Sequence, residues 1–418
     1  MTSETTSSSG RRPAFGFIFA TAVMNSLSFG IMIPVLPNLI KSFTGGDTAQ
    51  ASLWAGLFAV TWGTMQFFIG PILGMMSDRF GRRPVVLISL FGLAVDFLFM
   101  AFAPTLMWLF VGRILNGATA ASFSTANAYV ADVTTPEKRA KDFGMMSSAF
   151  SFGFLIGPAV GGFLADYSLR LPFLVAAGLT AANWLYGFFV LPESLPPERR
   201  VARFDWKKAN PVGALRLLQS HHELLGLAAV VFLFQLAHTV LPAIFVLYTG
   251  ERYHWTPSIM GLTMALTGAL GIVVQSFLIQ PIVKRVGERG AVLIGAASGA
   301  AGFLIYASAP NGWVYIAGTV VFAFNGLLMP GLVSLMSQRV GWNEQGQLQG
   351  ANQSLQGIAS TLGPALFNGL FALAISNGAG LYMPGLPVYL ASALVFCALL
   401  TAMRTAQPLK ASELMSPG

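Results

Sequence analysis

The segment Gly74-Met75-Met76-Ser77-Asp78-Arg79-Phe80-Gly81-Arg82-Arg83 packs three arginines and an aspartate into ten residues, between apolar runs at about 52–76 and 84–103. A membrane-crossing helix needs about 20 mostly apolar residues, so each run can span a bilayer. Small residues let membrane helices approach closely, which is the role expected of Gly74. Asp78 is placed to accept from the backbone N–H groups at a neighbouring helix N-terminus. Gly81 is expected to make the tight turn, because glycine alone enters the left-handed backbone region without cost. An ordinary basic loop would account for Arg79, Arg82 and Arg83, but not for Asp78 held between two glycines.

Outward from this turn the whole chain reads the same way. Of its 418 residues, 55% are apolar and 10% charged, and mean hydropathy is +0.66. Soluble domains carry about 25% charged residues, so this chain cannot clothe a water-facing surface. Candidate spans fall at roughly 14–40, 52–76, 84–103, 105–130, 141–166, 172–191, 223–249, 256–284, 290–309, 311–338, 348–374 and 385–405. The predicted fold is an all-α membrane protein of twelve transmembrane helices.

The charges sort the loops. With the N-terminus in the cytoplasm, 20 of the 24 Lys and Arg residues fall on the cytoplasmic side, and only Lys41, Arg170 and Arg252 fall opposite. That split is the positive-inside pattern and accounts for the net charge of +8 without nucleic acid. Anionic lipid headgroups are the expected partner of the basic loops. The expected organisation is a disordered cytoplasmic N-terminus at 1–13, a six-helix bundle at 14–191, a cytoplasmic linker at 192–222, a second six-helix bundle at 223–405 and a cytoplasmic tail at 406–418. Both termini are expected in the cytoplasm of a multi-pass inner-membrane protein. Within the linker, Trp206 to Gln219 reads as an amphipathic segment, and His221 and His222 as solvated loop residues. The single cysteine, Cys397, lies in an apolar stretch, and neither a disulfide nor a metal site is expected.

The two bundles repeat one another. Asn116-Gly117 recurs as Asn325-Gly326, Pro34 as Pro242, and Gly157-Pro158 as Gly363-Pro364, at offsets of 209, 208 and 206. Gly144 and Gly350 each precede their Gly-Pro pair by the same interval, and Phe80-Gly81-Arg82-Arg83 is echoed by Val286-Gly287-Glu288-Arg289. Repeats of this kind are common in transporters, with the substrate site expected near the midplane between the halves.

Of 40 charged residues, only Asp96 and Arg113 fall clearly inside spans. A charge at bilayer depth costs about 2.5–3.5 kcal/mol on insertion scales and is a functional candidate by default. Asp96 lies roughly 9 Å from the end of the third span and Arg113 roughly 12 Å into the fourth, at similar depth. Two readings stand. In one, Asp96 carries a proton and Arg113 tunes it, since burial disfavours a carboxylate and a nearby cation favours it. In the other, the two are a static buried ion pair. The remaining embedded polar residues are Asn25, Gln66, Asn116, Asn127, Gln235, His238, Gln275, Asn325, Asn352, Gln356 and Asn368. All but Asn368 are candidates for a substrate cavity, with interhelical bonding as the alternative for each. Trp54, Trp62 and Met65 would suit an aromatic cavity wall, with core packing or lipid contact as the alternative.

These motifs together resemble the major facilitator superfamily. The 74–83 turn is similar to its motif A, Arg113-Ile114-Leu115-Asn116-Gly117 to its motif B, and Gly153-Phe154-Leu155-Ile156-Gly157-Pro158-Ala159-Val160-Gly161-Gly162 to its antiporter motif C. The chain resembles in particular the tetracycline/proton antiporter branch, supported by Ile33-Pro34-Val35-Leu36-Pro37, Val95-Asp96-Phe97 and Gly346-Gln347-Leu348-Gln349-Gly350. The resemblance implies proton-driven efflux of a small amphipathic compound by alternating access, with small molecule and protons as partners, no cofactor and a monomeric state. An uptake carrier or uniporter for a metabolite is the alternative. An enzyme is not expected, because the spans hold no nucleophile–base pair. The sequence departs from the branch where its exporters carry an acid in span 1, an acid in span 9 and a histidine in span 8. The matching positions here are Asn25, Gly299 and Gly271. Those groups serve substrate–metal recognition in the branch, so export of some other amphipathic compound is the safer expectation.

Overall fold

The computed structural model describes residues 11–119, 122–134, 138–201, 222–341, 344–376 and 382–407. The N-terminal ten residues, the Trp206–Gln219 segment, His221 and the end of the tail lie outside them. In lipid each backbone N–H and C=O must find its partner inside its own segment, which favours helices. The described residues contain no strand. The helices are α1 (Arg11–Met32), α2 (Leu36–Phe43), α3 (Thr48–Phe80), α4 (Arg82–Phe102), α5 (Leu106–Thr119), α6 (Ser122–Val133), α7 (Arg139–Tyr167) and α8 (Leu171–Val190). After a 3-10 turn at Pro197–Arg199 come α9 (His222–His238), α10 (Val240–Tyr253), α11 (Pro257–Val273), α12 (Ile279–Ser308), α13 (Gly312–Ala323), α14 (Leu328–Ser337), α15 (Gln345–Ile375) and α16 (Leu386–Thr405).

Ten runs among the described residues are long and apolar enough to cross a membrane. One, Pro257–Ser308, is 52 residues long and is broken at Gly287, whose φ is 72°. Gly81 likewise has φ 109°, so both copies of the repeated turn use glycine in a backbone region that side chains avoid. The expected fourth span is carried by α5 and α6, each too short to be counted alone. The first span breaks at Ile33–Val35, where Pro34 removes a donor, and resumes as α2. A 3-10 turn at Phe324–Leu327 divides the tenth around Asn325-Gly326.

The chain forms two compact units. Unit 1 comprises residues 1–45, 61–209 and 256–265, and unit 2 comprises 46–60, 210–255 and 266–418. The start of α3 therefore belongs to unit 2 and the start of α11 to unit 1. In unit 1, Ile18, Val86, Tyr129, Met146 and Leu191 share one core. The glycine run of α7 supplies its closest contact. A β-carbon at Gly153 would stand 2.4 Å from Ser26 Cβ, one at Gly157 2.6 Å from Gly30 Cα, and one at Gly161 2.1 Å from the Ile31 carbonyl oxygen. The spacing of four places all three on one face, laid directly on α1. In unit 2 a glycine of α15 meets the junction of α9 and α10, where a β-carbon at Gly363 would stand 1.8 Å from the Thr239 side-chain Oγ1. Also in unit 2, Tyr306 and Tyr315 stack at 4.2 Å.

Gly144 has no described neighbour within 4 Å of a β-carbon. Overpacking a close contact costs about 1–3 kcal/mol or more. Gly161→Ala is therefore expected to lower the thermal unfolding midpoint in detergent clearly, while Gly144→Ala leaves it unchanged or raised. Equal shifts would show that the close α1–α7 contact does not hold the unit.

Candidate functional site

Helices α4 and α5 are antiparallel neighbours, and they bring the two embedded charges together. Arg113 Nη2 donates to Asp96 Oδ2 at 2.8 Å, with the side chains 7% and 0% exposed. The same Arg113 nitrogen lies 3.6 Å from Met32 Sδ of α1. Asn116, one turn beyond Arg113, lies beside the carboxylate and accepts from Trp62 Nε1 at 2.8 Å. Asp96 Oδ1 is buried without a hydrogen-bond partner among the described residues. It faces Gly112, where a β-carbon would stand 2.8 Å from it. Gly112 thus makes the room in which the carboxylate sits, and nothing but its place next to Arg113 marks it in the sequence. Chemically this is a buried acid with one oxygen held by a cation and the other near Asn116 and Gly112.

The motif A turn is built differently from the expectation. Among the described residues Asp78 is not seen to cap a helix. Its Oδ1 accepts from Arg82 Nη1 at 2.5 Å, and Arg82 Nε donates to Asp132 Oδ2 at 3.0 Å. The N-terminus of α4 is capped by Glu193, which follows α8: the Arg82 N–H donates to Oε1 at 2.8 Å and the Arg83 N–H to Oε2 at 3.3 Å. A carboxylate there answers the positive end of the helix dipole. Gly81 admits it, since a β-carbon would stand 2.3 Å from Glu193 Oε2. Gly74 makes no close approach to another helix among the described residues. Arg79 is exposed, with its guanidinium over the Phe80 ring. Arg83 donates to the Phe188 carbonyl.

The other polar candidates scatter. Asn25 is buried in α1, Gln66 and Gln235 are half-buried, and Asn127 and Gln356 are exposed. Asn325 turns back to the Phe322 carbonyl at 2.8 Å. Gln275 is exposed within a π-turn at Val274–Leu278, close to Gly326. Such turns recur at functional positions in helices. His238 packs among the rings of Phe234, Phe303 and Phe322, and its Nδ1 has no hydrogen-bond partner among the described residues. Asn352 is 8% exposed, and neither amide atom has a partner among the described residues. At position 299 a β-carbon would stand 3.3 Å from Val395 and 3.4 Å from Asn325, leaving little space for an acid.

A helical membrane protein with a buried acid–guanidinium pair and a glycine-laid helix contact has the makings of a carrier rather than an enzyme. The Major Facilitator Superfamily pattern matches residues 18–364, and the chain belongs to that family. It is 37% identical to the class C tetracycline resistance protein of Escherichia coli over 89% of this chain and 93% of that one. It is 34% identical to the class G protein of Vibrio anguillarum, over 87% and 94%. Multidrug resistance protein 2 of Bacillus subtilis is 28% identical, over 87% and 90%. Among solved structures, the nucleoside transporter NupG shares the fold with a TM-score of 0.75 at 14% identity, over 95% of this chain and 100% of that one.

Breaking a buried pair by removing one partner costs about 3–5 kcal/mol, because the other charge is left stranded. Arg113→Leu is expected to destabilise the protein by about that much in detergent unfolding, and the double variant Asp96→Asn/Arg113→Leu to recover most of the loss. Additive losses would mean that the two side chains do not act as a pair.

Proposed function

We propose that this protein is a proton-coupled exporter of small amphipathic compounds, working by alternating access, with Asp96 as the proton carrier and Arg113 as its tuner. The observation that carries the reading is the buried 2.8 Å ion pair, whose second carboxylate oxygen is buried beside Gly112 without a hydrogen bond among the described residues. Asp96 is ionised when bound to Arg113. A proton on Oδ1 would neutralise it and free the guanidinium, so loading and release follow changes in surroundings as the carrier cycles. The motif C resemblance and the relatives named for tetracycline and multidrug resistance support efflux. No observation favours metabolite uptake.

On this reading the chain makes twelve crossings. The 52-residue run supplies two of them, and α5 with α6 supplies the fourth. The bundles are 14–191 and 223–405, with linker and both termini cytoplasmic in the inner membrane. Gly153, Gly157, Pro158, Gly161 and Gly162 form the antiporter packing element, and Gly74 to Arg83 the conformational turn. Asn352, Gln275 and Gln356 are the substrate contacts put forward first. Asn352 leads them because a buried amide without a partner calls for one. The carrier is driven by the proton gradient without a cofactor and acts as a monomer. Asn25, Gly299 and Gly271 point away from the metal-assisted recognition of the tetracycline branch, so the substrate is an amphipathic compound of tetracycline type or another class.

The test is proton movement in proteoliposomes across a panel of amphipathic drugs, tetracycline included. At least one compound is expected to drive proton flux in the wild type, with flux abolished and binding kept in Asp96→Asn. Coupled transport lost in Arg113→Ala but fully retained in Asp96→Asn would overturn the assignment, and binding without proton flux for every compound would overturn antiport.

A further inference from the structure

The two helix starts that depart from their sequence neighbours are held in the same way. In unit 1, the first turn of α11 is bound to the end of α7: the Ser258 N–H donates to Asp166 Oδ1 at 3.3 Å and its hydroxyl to Asp166 Oδ2. In unit 2, the first turn of α3 is bound to the end of α10: Thr48 Oγ1 donates to Glu251 Oε2 at 2.6 Å. Glu251 also accepts from the Tyr382 hydroxyl at 3.1 Å. Partial burial and the neighbouring Glu251 carboxylate hold the Tyr382 phenol above its ordinary range, which keeps it a donor.

Beneath each carboxylate lies a glycine contact on a proline carbonyl. A β-carbon at Gly261 would stand 2.1 Å from the Pro158 oxygen, and one at Gly56 3.3 Å from the Pro364 oxygen. Pro158 and Pro364 are the repeated prolines, 206 residues apart, and Ser258 and Thr48 are 210 apart. Met260, two residues after Ser258, and Phe58, two residues after Gly56, are 1% and 2% exposed. The carboxylates themselves are not repeated: one ends α7 and the other lies near the end of α10. The same bond has therefore been built at equivalent helix starts from non-equivalent acids, which shared ancestry of the halves does not by itself produce.

We propose that Asp166 and Glu251 are matched positioning residues of the transport cycle, each latching the first turn of a membrane helix through a hydroxyl and letting it go when the carrier opens at that end. The ends concerned lie opposite the Arg82 turn and are extracytoplasmic in the orientation proposed above, on which the inference rests. A charge-assisted hydrogen bond is about twice as strong as a neutral one, yet a single one remains readily reversible, as a latch requires.

The experiment uses the full chain with its cysteine removed (Cys397→Ala) and a reporter cysteine beneath each latch, Met260→Cys or Phe58→Cys. The rate of alkylation by a membrane-impermeant maleimide is measured without substrate or proton gradient. Asp166→Ala and Ser258→Ala are each expected to raise the Met260→Cys rate by roughly fivefold or more, about 1 kcal/mol of lost latch, and the double variant no further. Thr48→Val and Glu251→Ala should do the same for Phe58→Cys, with Ser258→Thr and Thr48→Ser restoring the slow rate. Unchanged rates in correctly folded variants, or additive rises in the double variants, would overturn the proposal. Raised rates without any proton flux would leave the latches standing and remove the antiport reading, and proton flux with unchanged rates would do the reverse.

Discussion

A carboxylate and a guanidinium 2.8 Å apart, shut inside a bundle with almost no other charge, set the terms for the rest of the structure. Neither is tolerable alone at that depth, so α4 and α5 must stay in register and in contact. Gly112 meets that demand, because any side chain there would strike the carboxylate. The pair also asks for a neighbour that does not compete for the proton, and Met32, a weak sulfur acceptor, is what touches Arg113. Further out, Asn116 is tied to Trp62, which anchors α5 to α3.

Around this pair the protein is joined by close backbone contacts more than by large side chains. Apolar association gives little advantage in lipid, so van der Waals contact between small residues carries the load. Gly153, Gly157 and Gly161 lay α7 on α1, and Gly363 lays α15 on Thr239 at the junction of α9 and α10. At the arginine-rich end the joints are ionic instead. Arg82 bridges Asp78 and Asp132 while Glu193 caps α4, so the turn, the end of α6 and the start of the linker form one network.

Much of this was legible in the sequence because it rests on local pattern. Apolar runs gave the helices, and lone embedded charges gave Asp96 and Arg113, while the motif C glycines were legible as a packing element but not their partner helix α1. What was hidden depends on residues far apart in the chain. Glu193 reads as one acid in a charged linker, and only the fold brings it 111 residues back to the N-H groups of α4. Asp78 reads as an acceptor for a helix N-terminus, yet the arginine four residues on pairs with it. Gly112 is hidden by the abundance of glycine in such helices. The π-turn at Val274–Leu278 and the Asp166 and Glu251 bonds have no sequence signal at all, since they follow from which helix start meets which helix end. His238 looked chemical because it is polar in an apolar stretch, and the surrounding rings of Phe234, Phe303 and Phe322 show it packed.

The central claim is that Asp96 carries the proton that is coupled to substrate. Substrate binding in detergent, in lightly buffered solution with a pH indicator, tests it without any membrane or gradient. Linkage requires protons to be released on binding if the substrate favours the ionised acid. Release from the wild type at mildly acidic pH, absent in an Asp96→Asn variant that still binds the compound, is the predicted result. Equal release from both proteins, or none from either, would contradict it.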